Sequence, residues 1–289
     1  MPPHPDSNLH PAATGPAASI VAAHSSPAPL KLYSGWFCPF VQRVWSVLEE
    51  KQIPYQYIEV NPYNKPPSLL ALNPRGLVPT LEAPNGKPLY ESNVVCEFLE
   101  EAYADCGARL LPEDAYERAR CRIWMDYCSS RIVPAFHRFL QWQPPAGAGD
   151  AEGGSAADGL AIVREEFLKT LKDFAAEMLT TTGSSSGPFF LGTQPSLVDF
   201  VIAPWIVRLW VFDTFKQPGG LGIPAAGEGG ADEAVWERLR VWKAAIEERP
   251  SVRDTLSERE HYLPIYKRYA DDTAMSELAK ASRKGRGVP

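Results

Sequence analysis

The chain has no run approaching the roughly 20 apolar residues that a membrane-spanning helix requires, so no span is expected. Its first 29 residues contain no Lys or Arg, which argues against a mitochondrial presequence. They also lack the long apolar stretch of a secretory signal. Cysteine is scarce, with five in 289 residues, at positions 38, 96, 106, 121 and 128. An odd number without a dense framework points to reduced thiols in a reducing, cytoplasmic setting. Cys121 and Cys128 are too far apart for a zinc knuckle and no histidine pair follows them, so no metal is expected. A net charge of only −6 gives no general attraction to nucleic acid or to anionic membrane surfaces.

What is present reads as a globular protein, with 45% hydrophobic and 22% charged residues and length enough for two domains. Residues 1–29, rich in Pro, Ala, Ser and His, read as a disordered leader. Leu30-Lys31-Leu32-Tyr33 alternates as a short strand, followed by a largely apolar helix carrying Val41, Val44, Trp45, Val47 and Leu48. Tyr55 to Val60 alternates again, so this stretch is a βαβ unit with parallel strands and a right-handed crossover. A short helix over 68–72 precedes two apolar runs that flank Pro84-Asn85-Gly86-Lys87, a hairpin signal. A helix opening at Ser92 closes an α/β domain over 30–105.

Beyond residue 113 strand signals vanish. Helical patterns cover 113–142 (with a kink expected at Pro134), 159–180, 196–215, 231–249 and 251–260, within an all-helical domain over 113–269. Three stretches of low complexity, Pro144–Gly159, Thr180–Gly187 and Gln217–Gly230, read as exposed loops. The segment 270–289, ending in a short basic stretch, reads as a mobile tail.

The segment with most chemistry is Trp36-Phe37-Cys38-Pro39-Phe40. A cysteine that precedes proline at a helix start lies where free N–H groups and the positive end of the helix dipole favour an anion. Such a setting makes thiolate available near neutrality. The plainer alternative is a structural thiol that happens to precede proline. A dithiol redox site would carry a second cysteine three positions on, but Val41 stands there. A monothiol must exchange with a thiol from outside, and glutathione is the candidate in a reducing compartment. Cys96, Cys106, Cys121 and Cys128 carry no comparable signal and read as packing residues.

Cys38-Pro39-Phe40, Asn64-Lys65-Pro66, Asn73-Pro74-Arg75-Gly76-Leu77-Val78-Pro79 and Tyr90-Glu91-Ser92 occur in the order and spacing of omega-class glutathione transferases, which this chain resembles. Ser196-Leu197-Val198-Asp199-Phe200 with Ala203-Pro204-Trp205 and Arg208-Leu209 is similar to that family's helical half. The resemblance spans about residues 30–265 and departs from the family in a longer leader, three enlarged loops and a basic tail. It implies a thioredoxin-like α/β domain followed by an all-α bundle, the glutathione transferase fold. Cys38 would be the catalytic nucleophile. Phe40, Lys65, Val78, Pro79, Glu91 and Ser92 would bind glutathione: Val78-Pro79 as a cis turn pairing with the cysteinyl backbone, Ser92 and Glu91 on the γ-glutamyl end, and Lys65 on the glycine carboxylate. A trans proline in an edge strand and a simple helix cap at Ser92 are the plainer alternatives. Trp124, Tyr127, Arg131, Trp205 and Arg208 would line the acceptor-substrate pocket, although an aromatic stripe at helical spacing also suits a core. Ser196 and Asp199 form a capping box, a structural feature.

The activity this implies is glutathione-dependent thiol transfer through a mixed disulfide, including deglutathionylation and dehydroascorbate reduction, in a homodimer. Two alternatives stand beside it: a glutathione conjugase, and a non-enzymatic binding protein on the same fold.

Overall fold

Four short strands form one mixed sheet in a computed structural model that describes residues 4–144, 155–180 and 187–288. They are β1 (Lys31–Ser34), β2 (Gln56–Glu59), β3 (Thr80–Glu82) and β4 (Pro88–Leu89), in the order β2-β1-β3-β4. β1 runs parallel to β2, with Lys31 opposite Gln56 and Ser34 opposite Glu59, while β3 is antiparallel to both of its neighbours. The parallel pair is joined by helix α2 (Pro39–Lys51), the crossover expected from the βαβ pattern. The Asn85-Gly86 turn closes the β3–β4 hairpin, with the Ala83 N–H donating to the Lys87 carbonyl at 2.9 Å.

The apolar periodicity of α2 is used for packing. Val41, Val44, Trp45 and Leu48 are fully buried, as are Leu32 and Leu81 of the sheet and Val95 and Leu99 of α4 (Ser92–Ala102). On α3 (Pro67–Leu72), Leu69 joins Tyr33 and Val60 in a second cluster, against which Val78 packs. One ion pair lies inside this region: Lys51 Nζ is 2.8 Å from Glu100 Oε2, and neither side chain is more than 1% exposed. The other carboxylate oxygen accepts from Arg109 Nε and from the Leu110 and Leu111 N–H groups at 3.0, 3.0 and 3.3 Å.

The chain divides into two compact units that are not contiguous in sequence: Met1–Met125 with Pro195–Pro204 and Ala245–Leu263, and Asp126–Gln194 with Trp205–Ala244 and Pro264–Pro289. The first unit thus takes in later segments beyond the division expected between 105 and 113. Arg43 Nε donates to the Val201 carbonyl at 2.8 Å, and Gln42 Nε2 donates to Thr255 Oγ1 at 3.1 Å. Glu50 accepts from Ser251 Oγ at 2.7 Å and pairs with Arg249.

The expectation of a disordered leader over 1–29 is corrected. From His4 onward the segment is ordered and carries helix α1 (Gly15–Ala23). Polar and ring contacts hold it where apolar content is low. His4 stacks on Tyr63 with ring centroids 4.8 Å apart, and Trp36 Nε1 donates to the His10 carbonyl at 2.9 Å. His24 stacks on Tyr55 at 3.9 Å, and its carbonyl accepts from the Tyr57 N–H at 2.8 Å.

The helical half consists of α5 (Ala115–Tyr127), a π-helical turn (Cys128–Ile132), α6 (Val133–Gln141), α7 (Ser155–Thr180), α8 (Leu197–Ile206), α9 (Trp210–Phe215), α10 (Glu233–Glu248), α11 (Pro250–Arg253), α12 (Arg259–Ala270) and α13 (Glu277–Arg283). The helical backbone runs on from α5 through the π turn into α6, with Tyr127, Ile132 and Val133 all in the right-handed helical region, and Pro134 follows directly after the π turn. The single helix expected over 251–260 is instead α11 and the start of α12. In the second unit, Phe136, Phe139, Phe167 and Phe212 form an aromatic core, with Phe139 stacked on Phe212 at 4.3 Å.

The mobile tail is also corrected. Ser276 caps α13 by accepting from the Ala279 N–H at 3.0 Å, Gln141 Nε2 donates to the Ala279 carbonyl at 3.2 Å, and Arg283 pairs with Asp272 at 2.9 Å. Of the three expected loops, residues 145–154 of Pro144–Gly159 and 181–186 of Thr180–Gly187 lie outside the described residues, while 155–159 belong to the first turns of α7 and not to a loop. Gln217–Gly230 is pinned by Arg164, which donates to the Gly220 and Pro218 carbonyls. Among the described residues no helix is long and apolar enough to cross a membrane.

His137 is buried between the rings of Phe136 and Tyr269 in the second unit. Burial pushes its imidazole down to about 3, against a weaker opposing pull from Gln141. The folded state therefore keeps His137 neutral where the unfolded chain takes up a proton. This contribution to stability is complete above the ordinary imidazole value near 6.5. It is lost as pH falls toward 3, by about 1.4 kcal/mol per pH unit. Urea unfolding at pH 7.5 and 5.5 checks this: stability should fall by about 1 kcal/mol more in the wild type than in His137→Phe. Equal losses in the two proteins would exclude it.

Candidate active site

Cys38 stands at the N-cap of α2 with extended backbone (φ −77°, ψ 122°), and its side chain makes no capping hydrogen bond. The strand-to-helix turn Ser34–Cys38 places it there. The Cys38 N–H donates to the Gly35 carbonyl at 2.9 Å, and its own carbonyl accepts the first helical bond from the Gln42 N–H at 3.1 Å. The thiol is half-buried. The turn is braced from β2, because the Trp36 N–H donates to Glu59 Oε1 at 3.1 Å while Tyr57 Oη donates to Glu59 Oε2 at 2.9 Å. Burial pushes the Glu59 carboxyl up to about 7, although both of these bonds favour its charged form.

The other thiols differ. Cys96, Cys121 and Cys128 are buried, and burial pushes the first two up to about 12. Cys106 is the one other half-buried cysteine.

Val78-Pro79 is a cis peptide, as expected, and the Val78 carbonyl lies 3.9 Å from Cys38 Sγ. Cysteine and cis turn therefore face each other. The loop leading into that turn owes its shape to Gly76, at φ +60°, where an added Cβ would collide with the Lys65 side chain. Lys65 is exposed, and its Nζ donates to the Arg75 carbonyl at 2.5 Å. Arg75 in turn pairs with Glu91 at 3.3 Å.

Glu91 occupies the N-cap position of α4 at φ 68°, a conformation that costs a non-glycine residue on the order of 1–3 kcal/mol and tends to persist at functional sites. Ser92 follows as the first helical residue and is 8% exposed. Its Oγ accepts from Arg43 Nη1 at 3.1 Å. Since a guanidinium only donates, this bond occupies a lone pair of the hydroxyl and keeps the Ser92 proton for an incoming acceptor. Arg43 also donates to Asn93 Oδ1 at 3.1 Å and lies over the Phe40 ring at 5.3 Å.

These contacts link Cys38 with Val78, Lys65 with Arg75 and Glu91, and Ser92 with Arg43 and Phe40. Arg43 and Arg75 were missed as site residues. The available signal was an arginine inside the apolar face of α2, which a helix keeps only where its charge is bonded.

The residues expected in the acceptor pocket fall in both units. Trp124, half-buried on α5, belongs to the first unit, and Tyr127, Arg131, Trp205 and Arg208 belong to the second. Tyr127 Oη donates to Asp173 Oδ2 at 3.2 Å, and Arg131 is exposed on the π turn. Trp205 and Arg208 are only 1% and 2% exposed, so both are core side chains and not a solvent-facing wall. The expected capping box is present: Asp199 Oδ2 accepts from both the N–H and the Oγ of Ser196 at 2.7 Å.

Residues 37–102 match the family model of the glutathione S-transferase N-terminal domain, and residues 113–244 match that of the C-terminal domain. Glutathione S-transferase omega-1 of Sus scrofa is 37% identical over 245 residues, covering 82% of this chain and 87% of the relative. The chain belongs to the omega class of glutathione transferases. Glutathione S-transferase omega-2 of Homo sapiens is 32% identical, covering 63% of this chain and 68% of that one. The crystal structure of glutathione transferase Omega 3C from Trametes versicolor superposes with a TM-score of 0.74 at 40% identity, over 92% of this chain and all of its own. This omega-class enzyme is thus a glutathione-dependent transferase with glutathione as its co-substrate, on a fold that joins a thioredoxin-like sheet domain to a helical one.

Proposed function

We propose that this omega-class chain is a monothiol transferase that works through a mixed disulfide between Cys38 and glutathione. The observation that carries the reading is the half-buried Cys38 thiol at the start of α2, facing the Val78 carbonyl of a cis turn, with no second cysteine in its motif.

The expected glutathione contacts follow the chemistry of the tripeptide. The Val78 main chain would pair with its cysteinyl unit as an added strand does. The Ser92 hydroxyl and the α4 amino terminus suit the γ-glutamyl carboxylate, with Glu91 toward the ammonium. Lys65 suits the glycine carboxylate. Pro79 sets the turn, and Phe40 supports Arg43 and through it Ser92.

In the first step the Cys38 thiolate attacks the glutathione sulfur of a glutathionylated substrate. The substrate thiolate leaves, and a Cys38–glutathione disulfide remains. In the second step the thiolate of another glutathione attacks the glutathione sulfur of that disulfide. Glutathione disulfide departs and the Cys38 thiolate is restored, so each turnover consumes one glutathione, which leaves joined to the glutathione taken from the substrate, and returns the substrate thiol. Deglutathionylation is the direct form of this cycle, and dehydroascorbate reduction would take its two electrons from two glutathiones, which leave as glutathione disulfide. The homodimer and the cytoplasmic setting belong to the same reading. Val94, Tyr116 and Ile123, at 55%, 71% and 63% exposure on and beside α4 and α5, are apolar surface that a second copy would cover.

Rates of glutathione-dependent reduction of a glutathionylated peptide and of glutathione conjugation to an aromatic halide, measured on the same preparation, test the assignment. Reduction should exceed conjugation by at least about tenfold. Conjugation as the faster reaction would reject it.

A further inference from the structure

We propose that Glu59, at the end of β2, is a positioning residue for the Cys38 nucleophile, holding through one peptide unit the turn that presents the thiol. The inference rests on the reading of Cys38 as the nucleophile and adds to it a residue outside the expected glutathione contacts.

The connection runs through a single peptide. Trp36 donates its N–H to Glu59 Oε1 at 3.1 Å, and the carbonyl of that same peptide, from Gly35, accepts from the Cys38 N–H at 2.9 Å. A trans peptide is rigid and planar, and its N–H and carbonyl point in opposite directions. A shift of the carboxylate therefore turns the group that orients the Cys38 backbone. Two hydrogen bonds in line through one peptide also polarise each other.

β2 holds the start of the turn as well, because the Val60 N–H donates to the Ser34 carbonyl at 2.7 Å. Gly35 follows, a residue that adds no stiffness of its own, and a Cβ there would stand 3.3 Å from the Val60 carbonyl oxygen. The Glu59 bond ties the next peptide to the same strand.

The carboxylate is itself oriented. Tyr57, two residues back on the same face of the strand, donates its hydroxyl to Glu59 Oε2 at 2.9 Å. Tyr57 is buried and packs against Trp45 of α2, with ring centroids 4.8 Å apart. Burial holds its phenol well above the ordinary value, so the hydroxyl remains a donor. One oxygen is thereby fixed while the other meets the turn.

The charge on this carboxyl changes within the working range, since burial pushes Glu59 up to about 7. A hydrogen bond to a carboxylate is roughly twice as strong as one to a neutral acceptor. The hold on the Trp36 peptide thus tightens as pH rises through 7 and slackens below it. Other titratable groups beside the turn are Cys38 itself, His10 of the amino-terminal segment, and His261 and Tyr262 of α12, whose rings meet Trp36 at 6.4, 6.5 and 5.0 Å for His10, His261 and Tyr262. Comparison of the wild type with a Glu59 variant at each pH cancels their contribution.

The Cys38 thiolate displaces iodide from iodoacetamide, and the rate of that reaction, read on the Cys38 peptide by mass spectrometry, tests the proposal without glutathione. At pH 8, Glu59→Ala should lower the rate by about tenfold or more, because it releases the Trp36 peptide. Glu59→Gln keeps an acceptor for the Trp36 N–H. It should lose only about threefold at pH 8 and converge on the wild type by pH 5.5, where the native carboxyl is neutral too. A residue that only stabilised the fold would show neither the rescue nor the convergence. Glu59→Gln remains decisive if Glu59→Ala fails to fold. A ratio of wild type to Glu59→Gln that stays constant with pH, or a folded Glu59→Ala within about threefold of the wild type, would overturn the proposal. Should the variants behave as expected while the wild type fails to reduce a glutathionylated peptide, the thiol-transfer reading falls and the role of Glu59 stands.

Discussion

Replacing Cys38 by serine lowers glutathione-dependent disulfide reduction by about three orders of magnitude or more. The exchange removes one heavy-atom identity and little else. Serine is a favoured N-cap residue, so α2 keeps its start. The groups proposed to hold glutathione (Val78, Ser92, Glu91 and Lys65) are untouched, and KM for glutathione should change by no more than about threefold. A serine hydroxyl cannot form the mixed disulfide, so the loss falls on kcat. Conjugation of glutathione to an aromatic halide should survive, because a hydroxyl at this position is what the conjugating classes use. Steady-state kinetics of both reactions on both proteins give the comparison. Reduction retained to within about tenfold would remove Cys38 from the mechanism.

Removing the Glu100 carboxylate lowers stability by about 3–5 kcal/mol, the usual cost of breaking a buried ion pair from one side. Glu100→Ala leaves the Lys51 ammonium, which has no solvent exposure, without its carboxylate. It also leaves the Leu110 and Leu111 N–H groups without their acceptor. A fall in melting temperature on the order of 10 °C follows for a protein of this size. The double change Lys51→Met/Glu100→Leu removes the stranded charge and should recover much of the loss, since apolar replacement of a buried pair is often nearly neutral. Calorimetry of the two variants distinguishes this from a surface pair. A single variant within about 1 kcal/mol of wild type would show that the pair contributes little.

Much of the catalytic half could be read from the chain because its signals are local. Pro39 after Cys38 marks a helix start, Asn85-Gly86 marks a hairpin, and the alternation of residues 30–33 and 55–60 marks strands; all three lie where expected. The resemblance to omega-class enzymes supplied the cis Val78-Pro79 turn, which composition alone could not assign. What escaped depends on partners distant in sequence. The leader looks disordered because its apolar content is low, yet His4, His10 and His24 each dock on rings or carbonyls of the first unit. Arg43 looks like one charge on a helix, until Ser92, Asn93 and Val201 gather around it. The tail looks solvated, although Ser276 caps a helix whose Ala279 is fully buried. Trp205 and Arg208, expected at a pocket wall from family spacing, are almost fully buried.

The central claim, that Cys38 alone carries the glutathione chemistry, is tested most directly by intact-protein and peptide mass spectrometry after incubation with glutathione disulfide. The account predicts one glutathione adduct, located on Cys38 and released by added glutathione. Cys96, Cys121 and Cys128 are buried, and burial holds the first two thiols up at about 12, so they should stay unmodified. Adducts spread over several cysteines, or one at Cys106 with Cys38 unmodified, would contradict it.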